Sequence, residues 1–365
     1  MGPSNLAGAL YIMTLTGIIE HIFQWLHVPA HIGDAIMGPL LMLIDAVIIL
    51  AFILFVVLYL IYGLRKIMGW IQARIGPNRV GPYGLAQTMA DALKLLMKED
   101  IVPRMADKWP FIVAPIIVFV PAYMVYVVIP FGKGNGWVAQ DLNIGVLYII
   151  AILSIPIVGI ITAGWASNNK WSLIGAFRAA AQMISYEVPL VLAMVPSVML
   201  AGSMSMQRII GAQSGTYFHI LPRWFIASQI VGFIVFLISA LAESNLTPFD
   251  IMEAESELVA GFNTEYSGMK FAFFFLAEFA GMFTLAAIAT TLFFGGWLPI
   301  HPALSFIPPV LWFLAKTGVI IFVLMWIRST LPRVRVDQMM NFGWKVLIPI
   351  ALLNIVWTGF IVLKT

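Results

Sequence analysis

LMLIDAVIILAFILFVVLYLIYGL, residues 41–64, holds a single charge, Asp45, in 24 positions. About 20 consecutive apolar residues in a helix cross a bilayer core, so this stretch reads as a membrane span. Working outward from it, apolar windows mark seven more spans at 110–130, 142–165, 179–203, 224–244, 270–294, 307–327 and 346–363. The composition agrees: 61% of the 365 residues are hydrophobic and only 10% are charged, where a soluble domain carries about 25% charged residues. The expected fold is all-α, a polytopic membrane protein with eight transmembrane helices over 41–365 plus amphipathic helices on the cytoplasmic side. Residues 1–40 form an N-terminal extension. Within it, 6–28 is apolar but carries Glu20, His21, Gln24 and His27 at near-helical spacing, which predicts an interfacial helix and not a ninth span. The start of the chain has neither the basic residues nor the small-residue cleavage site of a signal peptide, so the first helix is expected to be kept.

Lys and Arg gather in alternate loops. Segments 65–109, 166–178, 245–270 and 328–345 hold 15 of them and the opposite segments 4, with Lys316 inside a span. Basic residues are retained on the cytoplasmic side, which predicts both termini on the other. Cysteine is absent, which excludes thiolate metal sites, iron–sulfur ligation and disulfides within this chain. The five histidines, at 21, 27, 31, 219 and 301, show no ligand spacing, and no metal site is expected. Nothing interleaves aromatic and basic residues as a nucleic-acid surface does, and no nucleic-acid partner is expected. Membrane lipid is the expected surrounding.

An ionised side chain at mid-bilayer costs about 2.5–3.5 kcal/mol on insertion scales, so such residues face a bundle interior and often mark a pathway. Glu187 early in the fourth span, Glu243 closing the fifth, Glu278 inside the sixth and Lys316 in the seventh are the candidates. Three carboxyls on separate helices fit a proton relay, because burial moves a carboxyl towards neutrality. A buried structural pair between Glu278 and Lys316 is the plainer alternative. In segment 245–270, Asp250, Glu253 and Glu257 have i, i+3, i+7 spacing, which puts them on one helix face with Glu255 turned away. A surface helix simply solvates such a run, but the Thr247-Pro248-Phe249-Asp250 start beside a span favours a cavity wall. Arg65, Lys66, Arg74, Arg328, Arg333 and Arg335 flank the first and seventh spans on the same side. They either anchor to lipid headgroups or pair with the acids, as Arg178 in GAFRAAAQ also could. Two Gly-Pro pairs in RIGPNRVGP (74–82) force turns ahead of an amphipathic helix over Leu85–Lys98. Pro156, Pro189 and Pro196 fall within predicted spans and are expected to kink or break them.

Four long strings carry a resemblance: QARIGPNRVGPYGLAQTMADALKLLMKED (72–100), GWASNNKWSLIGAFRAAAQMISYEVPL (164–190), AESNLTPFDIMEAESELVAGFNTEYSG (242–268) and WIRSTLPRVRVDQ (326–338). From about residue 41 onward the chain resembles the H subunit of bacterial complex I, whose mitochondrial counterpart is subunit 1 of NADH dehydrogenase. The resemblance implies a multi-pass subunit of the bacterial cytoplasmic (inner) membrane. It implies a proton-pumping NADH:quinone oxidoreductase in which this chain forms the quinone-access tunnel and the acidic coupling path. No redox centre lies in the chain itself. Ubiquinone or menaquinone is then the substrate, while FMN and iron–sulfur clusters sit in partners. Those partners are the quinone-site subunits of the peripheral arm, small membrane subunits and antiporter-like subunits. By matching motifs, Arg65, Lys66, Arg74, Arg178, Asp250, Glu253, Glu255, Phe262, Arg333 and Arg335 fall to the tunnel. Asp91, Glu187, Glu243, Glu257, Glu278 and Lys316 fall to the proton path. Leu64 and Leu246 depart from the family, which has an acid and an arginine there, so one acid–base pair is expected to have been lost together. The rival reading is the membrane anchor of an energy-converting hydrogenase, or of a complex I variant using a donor other than NADH.

Overall fold

The computed structural model describes residues 30–134, 138–217, 221–251, 260–301, 304 and 306–364. The interfacial helix expected over 6–28 lies outside the described residues. So do Glu253, Glu255 and Glu257, and with them most of the acidic face expected after Asp250.

The chain is a helical membrane protein, and the apolar windows of the sequence become its helices. The first helix, α1 (Ala30–Ile71), runs unbroken for 42 residues and passes residues 40 and 41 without interruption. Its part Ala46–Ile71 is the first of seven helices, among the described residues, long and apolar enough to cross a membrane. Past the short amphipathic α2 (Gln87–Met97) comes α3 (Lys108–Met124). The next span, Gly145–Ala166, is built from α4 (Gly145–Leu153) and α5 (Ile155–Ala166). It is followed by α6 (Lys170–Ala201), the short α7 (Met206–Ala212) and α8 (Ile230–Glu243). The chain then enters α9 (Gly268–Phe293) and α10 (Pro309–Thr330). It closes with α11 (Val336–Phe342), joined through a π-turn at Gly343–Leu347 to α12 (Ile348–Lys364). The strands found among the described residues are a two-residue pair, Thr216–Tyr217 and Leu221–Pro222, antiparallel with Tyr217 opposite Leu221.

The fifth span differs from its expectation. The window 224–244 yields only the 14 residues of α8, about 21 Å at 1.5 Å per residue and shorter than a bilayer core. Gln229 is the physical reason. It is fully buried, its Nε2 donates to Thr358 Oγ1 at 2.8 Å, and its Oε1 accepts from Asn354 Nδ2 at 2.8 Å. With its amide committed to α12, its backbone stops short of helical geometry (φ −126°, ψ 40°). Seven long helices and this short one make the eight expected.

The prolines divide. Pro156 opens α5 in the first turn, and the ladder breaks just ahead of it at Ser154, whose Oγ donates to Ala151 O at 2.9 Å. Pro189 and Pro196 remain inside one continuous α6, so the break expected at those two positions does not occur.

The core centres on α9, whose residues Met282 to Phe293 are all buried. It packs against α3, α10, α1 and α8. The loops at one end of the bundle bind one another: Asp107 N donates to Ala166 O (3.0 Å), Asn169 Nδ2 to Glu265 Oε1 (2.7 Å), Val334 N to Pro248 O (3.0 Å), and Lys270 pairs with Asp100 (3.0 Å). Those loops are the basic, motif-rich segments of the sequence. The segment 261–266 is pressed between helices there. Tyr266 stacks on Phe111 with centroids 4.1 Å apart. Gly261 has φ +58° and sits so close to Gly175 that a Cβ on Gly175 would lie 2.8 Å from the Gly261 Cα. Both positions therefore exclude a side chain.

Candidate functional site

Glu243 is the last residue of α8, and the turn after it sets its direction. Leu246 N donates to Leu241 O (3.1 Å) and Asn245 N to Ala242 O (3.2 Å). Asn245 adopts φ +50°, a left-handed conformation that asparagine tolerates better than most residues. Gln182 on α6 fixes this turn from the side, its Nε2 donating to Ala242 O at 2.7 Å and to Asn245 Oδ1 at 3.2 Å. The result is a cavity of about 80 Å³ into which Glu243, Ser244 and Asn245 project from α8. Across it stand Phe262 and Asn263 and the face of α9 that carries Glu278, Gly281 and Thr284. Two acids from different helices thus share one hollow within the membrane-spanning part of the bundle.

The lining is mostly apolar, with a few polar atoms set into it. Glu243 Oε2, Ser244 Oγ and Asn263 Oδ1 are buried with no hydrogen-bond partner. Buried polar groups in proteins are almost always paired, so these three atoms stand out within a mainly apolar wall. Glu278 Oε1 lies 3.9 Å from Arg328 Nη1, both side chains largely buried. That separation is an ion pair without a direct hydrogen bond. The Tyr126 hydroxyl donates to Ala280 O (3.0 Å), and Thr284 Oγ1 lies 2.9 Å from that hydroxyl and 2.8 Å from Ala280 O, with its single proton to give to one of them. Glu187, half-buried on α6, is near enough for its charge to bear on Glu243.

The alternative pairing of Glu278 with Lys316 does not form. Lys316 Nζ donates to Phe294 O (2.8 Å), Gly296 O (2.9 Å) and Leu298 O (2.6 Å) at the far end of α9, and it lies 4.2 Å from the centroid of the Trp224 ring. All three of its N–H donors are engaged by carbonyls.

On the basic face, Arg65 Nη1 donates to Asp91 Oδ2 at 2.5 Å, tying the end of α1 to α2, and Gln87 Nε2 donates to the other oxygen at 3.3 Å. Partial burial works to raise the Asp91 pKa, but the Arg65 hydrogen bond and charge, with help from Gln87 and Lys94, outweigh it and hold the carboxyl below its ordinary value of 3.8. A depressed acid stabilises the folded state above its unfolded pKa, and that contribution is lost as the pH falls through the folded value. The pair is partly exposed (39% and 26%), so Asp91→Asn is expected to cost less than about 1 kcal/mol. Faster hydrogen exchange confined to α2 would read that out, and the unsubstituted protein should match it only below pH 3.8.

Arg74 and Arg333 are exposed, as is Arg335, which pairs with Asp337 at 3.2 Å. Lys66, Arg178 and Asp250 are half-buried. Phe262, grouped by resemblance with the tunnel, is buried and forms part of the wall shared with Glu243 and Glu278. Leu64 and Leu246 are 5% and 2% exposed, so the two departures place apolar side chains where an acid and a base would otherwise be buried. Sequence reasoning passed over Gln182, Asn245, Asn263 and Thr284. Gln182 and Thr284 carried a signal, as lone polar residues among apolar neighbours, whereas Asn245 and Asn263 sit in polar turns that give none.

A family model described as NADH dehydrogenase matches residues 44–359. A Brevibacillus brevis protein, named as the H subunit of NADH-quinone oxidoreductase, is 56% identical over 320 residues, covering 88% of this chain and 93% of the relative. Proteins of the same name from Bacillus thuringiensis and Bacillus anthracis are 53% and 52% identical over 317 residues, covering 87% of this chain and 92% of each relative.

Proposed function

This chain belongs to the NADH dehydrogenase family, among the H subunits of NADH-quinone oxidoreductase, and from that premise we propose that it forms the quinone-access tunnel of complex I and begins its proton path. It is a membrane subunit of an NADH:quinone oxidoreductase. The hydrogenase-anchor reading is set aside by the names and identities of these relatives. The observation that carries the proposal is the cavity lined by both Glu243 and Glu278, which brings carboxyls from two helices to one hollow within the bundle.

The tunnel falls to the basic face: Arg65, Lys66, Arg74, Arg178, Arg333 and Arg335, with Asp250, Glu253, Glu255 and Phe262. Quinone, ubiquinone or menaquinone, enters there and meets electrons delivered by FMN and iron–sulfur clusters of the peripheral-arm subunits. This chain has no thiolate to hold such a cluster. Protonation of the reduced quinone changes the charge felt by Asp250 and Glu257, and the disturbance passes to Glu243, Glu187 and Glu278 and on to small membrane and antiporter-like partners. Asp91 keeps the entrance in register through Arg65. Lys316, assigned to the proton path with these acids, stands at the far end of α9 with its Nζ held by three carbonyls. The membrane is the bacterial cytoplasmic membrane, with the basic loops inside.

A photoreactive quinone analogue applied to the assembled complex is expected to label peptides within 65–98, 250–262 and 333–338, competed by excess quinone. Labelling confined to other subunits or to the far loops would remove the tunnel from this chain.

A further inference from the structure

On α9 the residues facing the cavity are Phe274, Ala277, Glu278, Gly281, Thr284 and Leu285, a single stripe at helical spacing. Gly281 sits in its middle, one turn from Glu278 and one from the Thr284–Tyr126 hydroxyl pair. A Cβ added at Gly281 would meet no atom within 4 Å. That differs from the close-packing glycines of the same bundle. At Gly159, Gly164 and Gly175 an added Cβ would fall 2.5, 2.3 and 2.8 Å from a neighbour, so there the missing side chain lets helices touch. At Gly281 no neighbour needs the space, and the hollow itself occupies it. A water needs roughly 10–15 Å³ of such space, so a cavity of about 80 Å³ can hold more than one, and any side chain at Gly281 takes its room from that volume.

We propose that Gly281 is a positioning residue of the proton path: its missing side chain keeps open the hollow that Glu278 and Glu243 both line. Helix packing does not require a glycine here, and glycine within a helix costs about 0.5–1 kcal/mol relative to alanine. The open gap is the use that offsets that cost. This inference rests on the proton-path reading above and adds the element that sets its throughput.

The test compares Gly281→Ala, Gly281→Val and Gly281→Thr with Glu278→Gln in the assembled complex, in membrane vesicles, reading protons translocated per NADH oxidised. Valine and threonine have nearly the same shape, but threonine brings a hydroxyl that can stand in for a displaced water. Gly281→Val is expected to lower NADH-driven translocation roughly tenfold, less than the roughly 100-fold or more lost when an acid–base group is itself removed. Gly281→Thr should keep the larger part. Equal losses for valine and threonine would overturn the inference, because volume alone would then be acting on packing. Should the valine variant fail to assemble, alanine decides, since its methyl touches nothing. An increased solvent deuterium isotope effect supports the inference, and an unaltered one with full translocation overturns it. Full translocation in Gly281→Val beside a loss in Glu278→Gln overturns this inference and leaves the proton path standing. Full translocation in Glu278→Gln overturns the path itself, and this inference with it.

Discussion

Glu278→Gln is expected to lower NADH-driven proton translocation by about 100-fold, the lower end of what a positioned acid–base group contributes, while electron entry from NADH to an artificial acceptor persists. The reasoning starts from size and charge. Glutamine keeps the shape of the side chain and can still hydrogen-bond, so the packing around α9 has no cause to change. What it removes is the exchangeable proton and the negative charge. Glu278 is 13% exposed and stands 3.9 Å from Arg328, itself 21% exposed, so the charge it holds is largely cut off from bulk water and strongly felt by its neighbours. The other carboxyl of the cavity, Glu243, has one oxygen buried without a partner, and Glu243→Gln is expected to act in the same direction. Two links of one chain fail together, so the double variant should be little worse than either single one. Translocation unaltered in both single variants, followed with a pH-sensitive dye in inverted vesicles, would take these acids out of the path. A fully additive double variant would instead mean two separate routes.

The membrane spans were legible because hydropathy is a property of each segment by itself. A run such as Leu41–Leu64 must lie in lipid or in a core whatever surrounds it. Partners are different, since they depend on how helices rotate and approach, and a single sequence does not encode that openly. Glu278 and Lys316 were natural candidates for a pair, as opposite charges in successive spans. Yet Lys316 turns to the carbonyls of Phe294, Gly296 and Leu298, and Glu278 finds Arg328, further along α10. The fifth span came out short for a similar reason: the bonds of Gln229 to Asn354 and Thr358 come from a helix more than a hundred residues away. The candidate site was half readable. Its carboxyls declare themselves by being charged in apolar surroundings, whereas Asn245, Asn263 and Gly281 acquire meaning only once the cavity they line is seen.

Lys316→Met should show the reverse pattern to Glu278→Gln, with a loss of stability in the assembled complex and little change in protons moved per NADH by the molecules that survive. Methionine fills much the same volume but donates nothing, and it leaves three carbonyls, one buried and two partly buried, that the ammonium had bonded at 2.6–2.9 Å. A buried polar group left unpaired costs about 1–3 kcal/mol, so even with relaxation of the 294–298 loop the loss is expected to reach roughly 3 kcal/mol. Removing a positive charge from the C-terminal end of α9 adds to it, because that end carries the negative pole of the helix. Trp224→Phe, which weakens the ring beneath the ammonium at 4.2 Å, should move stability the same way by a smaller amount, about 1 kcal/mol. Thermal dissociation of the purified complex measures both. If Lys316→Met instead left the dissociation temperature alone and abolished translocation, Lys316 would be a working member of the proton path and its three carbonyl bonds a resting state to be broken in each cycle.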